Sequence, residues 1–567
     1  MTTQPRAASA WPLMTVILVV AFALRLYGLT FGLPAVYNPD EVAIMNRALA
    51  LPQNGFNPHN FLYPSLYFYV LVVAEGAWFL VGRVTGVFES LAAFERSYFV
   101  DPSSIYVVGR AVSAVAGTVT VWFTWRLGVR LFGRGAGIVA ALLLALAPLA
   151  VRDAHYVKHD VPVTLLIVAA HLVAAGTLRE ASTRRDWLLA GAVAGLALST
   201  HYYALFVLVP LAGLATAQRG DRTGRLLMLV AAAATAFALT SPFLFLELGT
   251  TIRDVVANRQ IVVDRATTSG GAFASLWYYL TWLARDGVGP GAAVLAAAGV
   301  LVTVGSGWPR AVLVLGFPVV FLLFLANTVP ASRYLNPVVP FVAVLAGAAV
   351  SWCWTRPILR YVAMVAVAGA GLQSAAASLH VDRFISRTDT RTQAAAWMER
   401  EIPSGASVLI QPYSVPIRQS RASLVEALTA TLGDPSRASV RFQRQLAIDP
   451  APAPSYRTIY LGSGGLDVDK IYLAPSAFDE GTGLAPLRQA AVTYVVLKRY
   501  NVGDPSLVSF TRALEREGHR LTTFSPYAAT ADARVRQDTP PFLHNTDVRM
   551  GLALERPGPI IEIWRVD

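Results

Sequence analysis

Two neighbouring carboxylates, Asp40 and Glu41, stand in the run Tyr37-Asn38-Pro39-Asp40-Glu41, shortly after the first long apolar stretch. A second polar run, Arg152-Asp153-Ala154-His155-Tyr156-Val157-Lys158-His159-Asp160, joins two apolar stretches where a short neutral turn would serve. A third, Pro330-Ala331-Ser332-Arg333-Tyr334-Leu335-Asn336-Pro337, carries an arginine at the mouth of another apolar stretch. A rigidly held carboxylate can take the proton of a hydroxyl nucleophile in a transition state. Guanidinium and ammonium groups hold phosphate oxygens, the guanidinium through two parallel bonds. Lys158 stands out because arginine does almost every other basic job before the C-terminal region.

Each run also has a plainer explanation. Asn38 is a good helix N-cap, Pro39 suits the first helical position, and Glu41 completes a capping box. Asp160 can cap the next helix two residues before Pro162. Arg333 and Tyr334 suit a membrane interface, as do the aromatic runs His201-Tyr202-Tyr203 and Trp277-Tyr278-Tyr279. A metal is a further alternative, since His155, His159 and Asp160 fit one helical turn, but the spacing matches no fixed zinc signature.

The elements that must position these residues are membrane helices. Of 567 residues, 55% are hydrophobic and 14% charged, with mean hydropathy +0.49. Soluble globular chains carry roughly 25% charged residues. The net charge of +12 is almost all arginine. Those arginines cluster in short loops between apolar runs, where they set topology and give no sign of nucleic-acid binding. The single cysteine, Cys353, excludes a disulfide within the chain.

Apolar runs of roughly 17 to 22 residues, the length a bilayer core requires, begin near Trp11, Ile105, Gly135, Asp160, Trp187, Tyr203, Leu226, Pro290, Ala311, Tyr334 and Pro357. The run from Trp187 is marginal. The segment before Trp11 resembles a signal peptide, but an uncleaved first span fits the many spans that follow. Arg126, Arg130 and Arg134, then Arg179, Arg184 and Arg185, then Arg219, Arg222 and Arg225, then Arg310, then Arg356 and Arg360 fall in alternate loops. The positive-inside rule assigns these to the cytoplasm. The other loops, with Asp40 and Glu41, residues 152–160, 247–289 and 327–333, then share the external side. One further run, 61–81, breaks the alternation if it crosses once. Parity therefore requires that it lie at the surface, re-enter, or be followed by a second crossing. It is taken as a juxtamembrane helix in a long first external loop, residues 25–104.

No spanning run follows residue 380. Residues 390–402 read as an amphipathic helix, and 407–411, 456–461, 493–497, 521–524 and 560–566 as strands, with a helix over 505–517. Residues 380–567 thus form a mixed α/β domain, external by parity, after a transmembrane domain over 1–379. Gly462-Ser463-Gly464-Gly465 lacks the third glycine of a dinucleotide fingerprint and reads as a turn.

In their order, Asn38-Pro39-Asp40-Glu41, Asn57-Pro58, Tyr63-Pro64-Ser65-Leu66-Tyr67, Arg110, the run from His155 to Asp160 with Val161-Pro162, and Arg333-Tyr334 resemble bacterial glycosyltransferase family 39. That family includes relatives of protein O-mannosyltransferases and the lipid A aminoarabinose transferase, within the GT-C superfamily. The resemblance covers most of residues 25–340 and rests on motif order. It implies a polytopic helical GT-C protein of about 11 to 13 spans in a bacterial inner membrane. The implied reaction is an inverting transfer from a polyprenyl-phosphate sugar to an extracytoplasmic lipid, glycan or protein. Under it Asp40 is the general base, Glu41 its acidic neighbour, and Asp160 the second external acid, orienting donor or acceptor. Arg333 holds the lipid phosphate. Lys158 has no firm family counterpart and joins Arg333 by the chemistry of its charge. His155, Tyr63 and His59 complete the set as substrate-binding residues. No cofactor is required; a divalent metal is compatible but not implied. The implied partners are the donor, the acceptor and the bilayer. A transporter and a non-enzymatic envelope protein with an outer binding domain are the rival readings. Against the first, the chain shows no paired broken helices and no two-fold hydropathy symmetry.

Overall fold

Apolar residues on every side, not along one stripe, mark most of the long helices before residue 385 as membrane helices. The computed structural model describes residues 11–178, 182–218, 220–263, 271–465, 467–479, 481–500, 503–545, 551 and 553–566. Arg179, Arg219 and the signal-peptide-like start lie outside them. The chain forms two compact units. The first comprises Met1–Leu29, Asp40–Gly82 and Ile105–Arg383; the second comprises Thr30–Pro39, Arg83–Ser104 and Phe384–Asp567. The second therefore begins at 384, not 380, and also takes in two pieces of the long first loop.

Among the described residues six helices are long and apolar enough to cross a membrane, and Trp11–Leu26, Arg134–Ala145, Tyr202–Ala217, Pro290–Gly305 and Val339–Trp354 are shorter apolar helices. The marginal run from Trp187 is the helix Arg184–Leu198, started by a Thr183/Asp186 capping box. It lies against Arg222–Thr240 through Gly191 and Gly195. A Cβ on either would meet the carbonyl oxygens of Leu229 and Ala233 at 2.3 and 2.2 Å. Small residues four apart let backbones approach this closely where lipid offers no hydrophobic drive.

The run at 61–81 starts its helix later, as Leu66–Thr85. Pro64 precedes it, and the Ser65 amide donates to Ser241 Oγ while the Leu66 amide donates to the Ser199 carbonyl, both at 3.0 Å. At 20 residues this helix is itself one of the six of spanning length. Length alone therefore does not distinguish a juxtamembrane helix from a span, and the charged loops carry the parity argument.

The second unit is built on a six-stranded sheet: β1 (Ser407–Ile410), β2 (Arg457–Leu461), β3 (Ile471–Leu473), β4 (Tyr494–Arg499), β5 (Gly518–Phe524) and β6 (Ile560–Val566). The order is β3-β2-β1-β4-β6-β5, with β1 to β4 parallel and β5 and β6 antiparallel. Both faces are covered. Leu409, Ile459 and Val495 enter one apolar cluster, and Val408, Ile410 and Val496 the other. This is why these strands read as continuous apolar runs. The helix Thr390–Glu401 starts at Asp389, whose carboxylate accepts from the Arg391 amide. The glycine run after β2, residues 462–465, carries no helix among the described residues. The three-residue β3 and the early start of β5 at Gly518 were not anticipated.

Candidate active site

Asp40 sits in the first turn of the helix Pro39–Ala50. Its Oδ2 lies 3.2 Å from Lys158 Nζ and 3.1 Å from Arg333 Nη1. Its side chain is 37% exposed, whereas that of Lys158 is 9% exposed. Burial pushes the Asp40 carboxyl up, but Lys158 and Arg333 outweigh it and hold the group below the usual aspartate range. Asp160 opens the next helix, Asp160–Ala174, buried and within electrostatic reach of Arg333, Lys158 and Asp40. Its carboxylate makes no hydrogen bond with the described residues. Four of the residues singled out in the sequence, from three distant segments, thus meet as two acids and two bases.

Lys158 and Arg333 are each held by a network that the sequence did not reveal. Lys158 lies in the loop between the helices Pro148–Asp153 and Asp160–Ala174. That loop is tied down by Glu41, whose Oε1 accepts from the Val157 amide at 2.9 Å. Glu41 also receives Arg110 through two bonds, Nε to Oε1 at 2.9 Å and Nη2 to Oε2 at 3.0 Å, and Arg110 Nη1 donates to the Leu29 carbonyl at 2.8 Å. Both side chains are fully buried. Gly109, beside Arg110, makes room for this: a Cβ there would meet Val157 Cγ2 at 2.9 Å and Met45 Cε at 2.5 Å. Glu41 is therefore a buried anchor that accepts three hydrogen bonds. The assignment of Glu41 to the reactive acids is corrected on that ground. One signal for this was present. Glu41, Ile44, Met45 and Ala48 follow the i, i+3, i+4, i+7 spacing of a core face, and all four are buried.

Arg333 lies in the short turn Ser332–Leu335. Asn336 Nδ2 donates to the Arg333 carbonyl at 3.0 Å and also to Asp153 Oδ2. Arg152 Nε donates to Asp153 Oδ1 at 2.7 Å, and its Nη2 to Ser332 Oγ at 2.9 Å. Arg152 and Asp153, read in sequence only as part of a polar loop, thus fix the turn that aims Arg333.

Tyr63 is brought to the group and faces it with a ring stack. Its ring lies parallel to His159 at 4.2 Å between centroids and edge-on to His201 at 5.2 Å. His201 in turn packs on Tyr203 at 3.8 Å. Burial lowers His159 well below its ordinary value, with His201 and Arg47 adding to the shift. Burial and then Arg333 lower His201 to about 3. Both imidazoles are neutral at physiological pH.

Two expected substrate contacts are placed elsewhere. His155 is fully buried, with Nδ1 2.9 Å from the Val151 carbonyl and Nε2 2.9 Å from that of Tyr27. It fastens the loop and is not turned to a ligand. His59 is 57% exposed and pairs with Glu247, its Nδ1 2.9 Å from Oε1. His155, His159 and Asp160, the residues of the metal alternative, each face a different environment. Among the described residues no three His, Cys, Asp or Glu side chains gather as a metal site.

Comparison with solved structures places the fold. ArnT from Cupriavidus metallidurans bound to undecaprenyl phosphate superposes with a TM-score of 0.54, at 13% identity, over 98% of both chains. Its apo state gives 0.53 at 14% identity, over 91% of this chain and 97% of that one. The fold is that of the GT-C glycosyltransferases. Residues 104–245 also match the family model described as dolichyl-phosphate-mannose-protein mannosyltransferase. No curated protein sequence matches the chain. The matched segment runs through Arg110 and the whole 152–160 loop, with Lys158 and Asp160, while Asp40 and Arg333 lie outside it.

Proposed function

We propose that the protein is an inverting glycosyltransferase that moves a sugar from a polyprenyl-phosphate carrier to an extracytoplasmic acceptor hydroxyl at a bacterial inner membrane. The observation that carries this reading is Asp40 held between Lys158 and Arg333, with Asp160 beside them. In the reaction the acceptor oxygen attacks the anomeric carbon as its proton passes to Asp40. The bond from that carbon to the phosphate oxygen breaks, and the electron pair leaves with the lipid phosphate. A phosphate needs positive charge more than it needs a general acid, and Lys158 and Arg333 supply that charge. The same two cations now depress the Asp40 pKa. When they turn to a phosphate, the carboxylate regains its ordinary basicity. Donor binding thereby prepares the base. The ArnT structure bound to undecaprenyl phosphate supports a donor of this class.

The test is a transfer assay on the reconstituted protein with undecaprenyl-phosphoryl sugars, together with direct binding of undecaprenyl phosphate. Arg333→Ala should weaken donor affinity about tenfold or more, the scale of hydrogen bonds to a charged group. Arg333→Lys should lose less, because charge survives while the two-pronged geometry does not. Near-wild-type affinity in both variants would leave Arg333 as an interfacial anchor. A protein that neither binds undecaprenyl phosphate nor transfers sugar would reject the reading.

Sidedness has its own test. A cysteine placed at Arg130 should resist impermeant thiol reagents applied from outside, and alkaline phosphatase fused after Asp567 should be active. Labelling at position 130 from outside would return Leu66–Thr85 to the count of crossings.

A further inference from the structure

Strand order singles out one edge of the sheet in the second unit. In the order β3-β2-β1-β4-β6-β5, β2 and β4 flank β1, so the chain leaves β1 toward one side and returns from β3 to the other. In an open parallel sheet, the gap outside the carboxyl ends of two such strands is where ligands bind. Here β1 runs into Gln411-Pro412-Tyr413-Ser414, and β4 ends on Lys498 and Arg499 and runs into Tyr500. The two ends are fastened to each other. Gln411 Oε1 accepts from the Lys498 amide at 3.0 Å, and the Gln411 carbonyl accepts from the Ser414 amide at 3.0 Å.

Lys498 Nζ lies 5.5 Å from the ring centroid of Tyr413 and 5.5 Å from that of Tyr500. Arg499 next to it is answered by Glu562 at 2.7 Å, whereas Lys498 has no carboxylate within 4 Å among the described residues. Tyr413 is 72% exposed and Tyr500 38%. Tyr413 also holds a φ of +65°, which costs a bulky side chain free energy. The Ser414 hydroxyl beside it is buried without a partner among the described residues. Costs of this kind gather at ligand sites. The Thr30–Pro39 piece of this unit, which leads into Asp40, touches the same edge. Asn38 Nδ2 donates to the His544 carbonyl at 2.9 Å, and Gly558, just before β6, donates to the Phe542 carbonyl at 2.9 Å. β6 begins where β4 ends, with Ile560 opposite Arg499.

We infer that Tyr413, Lys498 and Tyr500 form a saccharide-binding site whose ligand is a pyranose carrying a carboxylate or a phosphate. The exposed rings offer flat apolar surfaces to the C–H face of a sugar ring. The ammonium between them supplies one charge-assisted bond to the acidic substituent. The bonds through Gln411 hold both strand ends in place, so binding orders little further chain. The inference rests on the glycosyl-transfer reading above only in taking this saccharide for part of the acceptor.

The experiment uses the full-length protein in phosphatidylcholine nanodiscs, with affinities read by calorimetry. Mannuronate trisaccharide is set against mannotriose, and glucose 6-phosphate against glucose. In at least one pair the wild type should bind the acidic member about tenfold more tightly, the scale of one charge-assisted bond. Lys498→Gln should erase that preference, and Lys498→Arg should keep most of it. Tyr413→Ala should weaken acidic and neutral saccharides alike, by about threefold to tenfold for one aromatic contact, while Tyr413→Phe retains them. Preference in the first pair assigns a carboxylate to the ligand; preference in the second assigns a phosphate. A wild type that binds none of the four overturns the inference, as does a preference that survives Lys498→Gln or an affinity unchanged in Tyr413→Ala. Binding lost when the nanodiscs contain phosphatidylglycerol also overturns it, because the patch would then belong to an anionic membrane surface. Undecaprenyl phosphate binding, measured on the same samples, separates this inference from the reading it rests on. Its failure in a wild type that binds the acidic saccharides removes the donor and leaves the saccharide site standing.

Discussion

Asp40→Asn should turn over about 10²–10⁴-fold more slowly than wild type, the usual share of general acid–base catalysis. Asparagine keeps the shape of the side chain and its place in the first turn of the helix Pro39–Ala50. It cannot accept a proton, and it removes the counter-charge that Lys158 and Arg333 now share. Donor affinity should accordingly hold steady or tighten while the rate falls. A helix-start role alone predicts near-neutrality, because Asn and Asp are equivalent there. The pH profile gives a second reading of the same group. With burial raising its pKa and Lys158 and Arg333 lowering it further, the Asp40 carboxyl of the free enzyme titrates below the ordinary aspartate range. A base of depressed pKa stays ionised until the pH falls through that low value. The acidic limb of kcat/KM should therefore lie at low pH. The limb of kcat, which reports the donor-bound enzyme, should sit at higher pH once phosphate neutralises the two cations. Coincident limbs, with full turnover in Asp40→Asn, would show that Asp40 is not the base.

Glu41→Gln should act first on stability. The substitution leaves the Arg110 guanidinium buried without its counter-charge, and removing one partner of such a pair costs about 3–5 kcal/mol. The thermal midpoint of the solubilised protein should drop clearly. The Val157 amide loses its charged acceptor, so the loop that carries Lys158 should loosen as well. The double variant Glu41→Leu, Arg110→Met should recover much of the midpoint, since replacing both members by apolar groups is often neutral. An unchanged midpoint in Glu41→Gln would deny the pair its structural role and reopen a chemical one.

The two predictions concern adjacent residues, and their difference shows how far the sequence reaches. The sequence places two carboxylates in one first turn, which fixes both to a rigid backbone. Rotation of 100° per residue then separates them. Glu41 falls on the line of Ile44, Met45 and Ala48 and goes inward. Asp40 falls on the neighbouring face and meets the two bases. The apolar spacing made that division readable, but the partners were out of reach. Arg110 is 69 residues from Glu41, and Arg333 is 293 residues from Asp40. His155 and His59 illustrate the converse. Their residue types suit a ligand site, but His155 lies where carbonyls of Val151 and Tyr27 need a donor, and His59 lies beside Glu247.

What the sequence by itself determined is local or summed over long windows. Mean hydropathy and loop arginines define a multi-helix membrane protein, because burial in lipid constrains every residue of a span. Apolar runs bounded by turn residues define β1, β2, β4 and β6, and the spacing of residues 390–402 defines the helix Thr390–Glu401. Three-residue β3 escaped notice, since so short a strand has no period of its own. Only the tertiary structure decided which charges neutralise one another. Pairing depends on where helices distant in sequence cross, and those crossings are set by close contacts such as Gly109 on Val157 and Gly195 on Ala233. It is that pairing that commits Glu41 to the fold and sets Asp40 between Lys158 and Arg333.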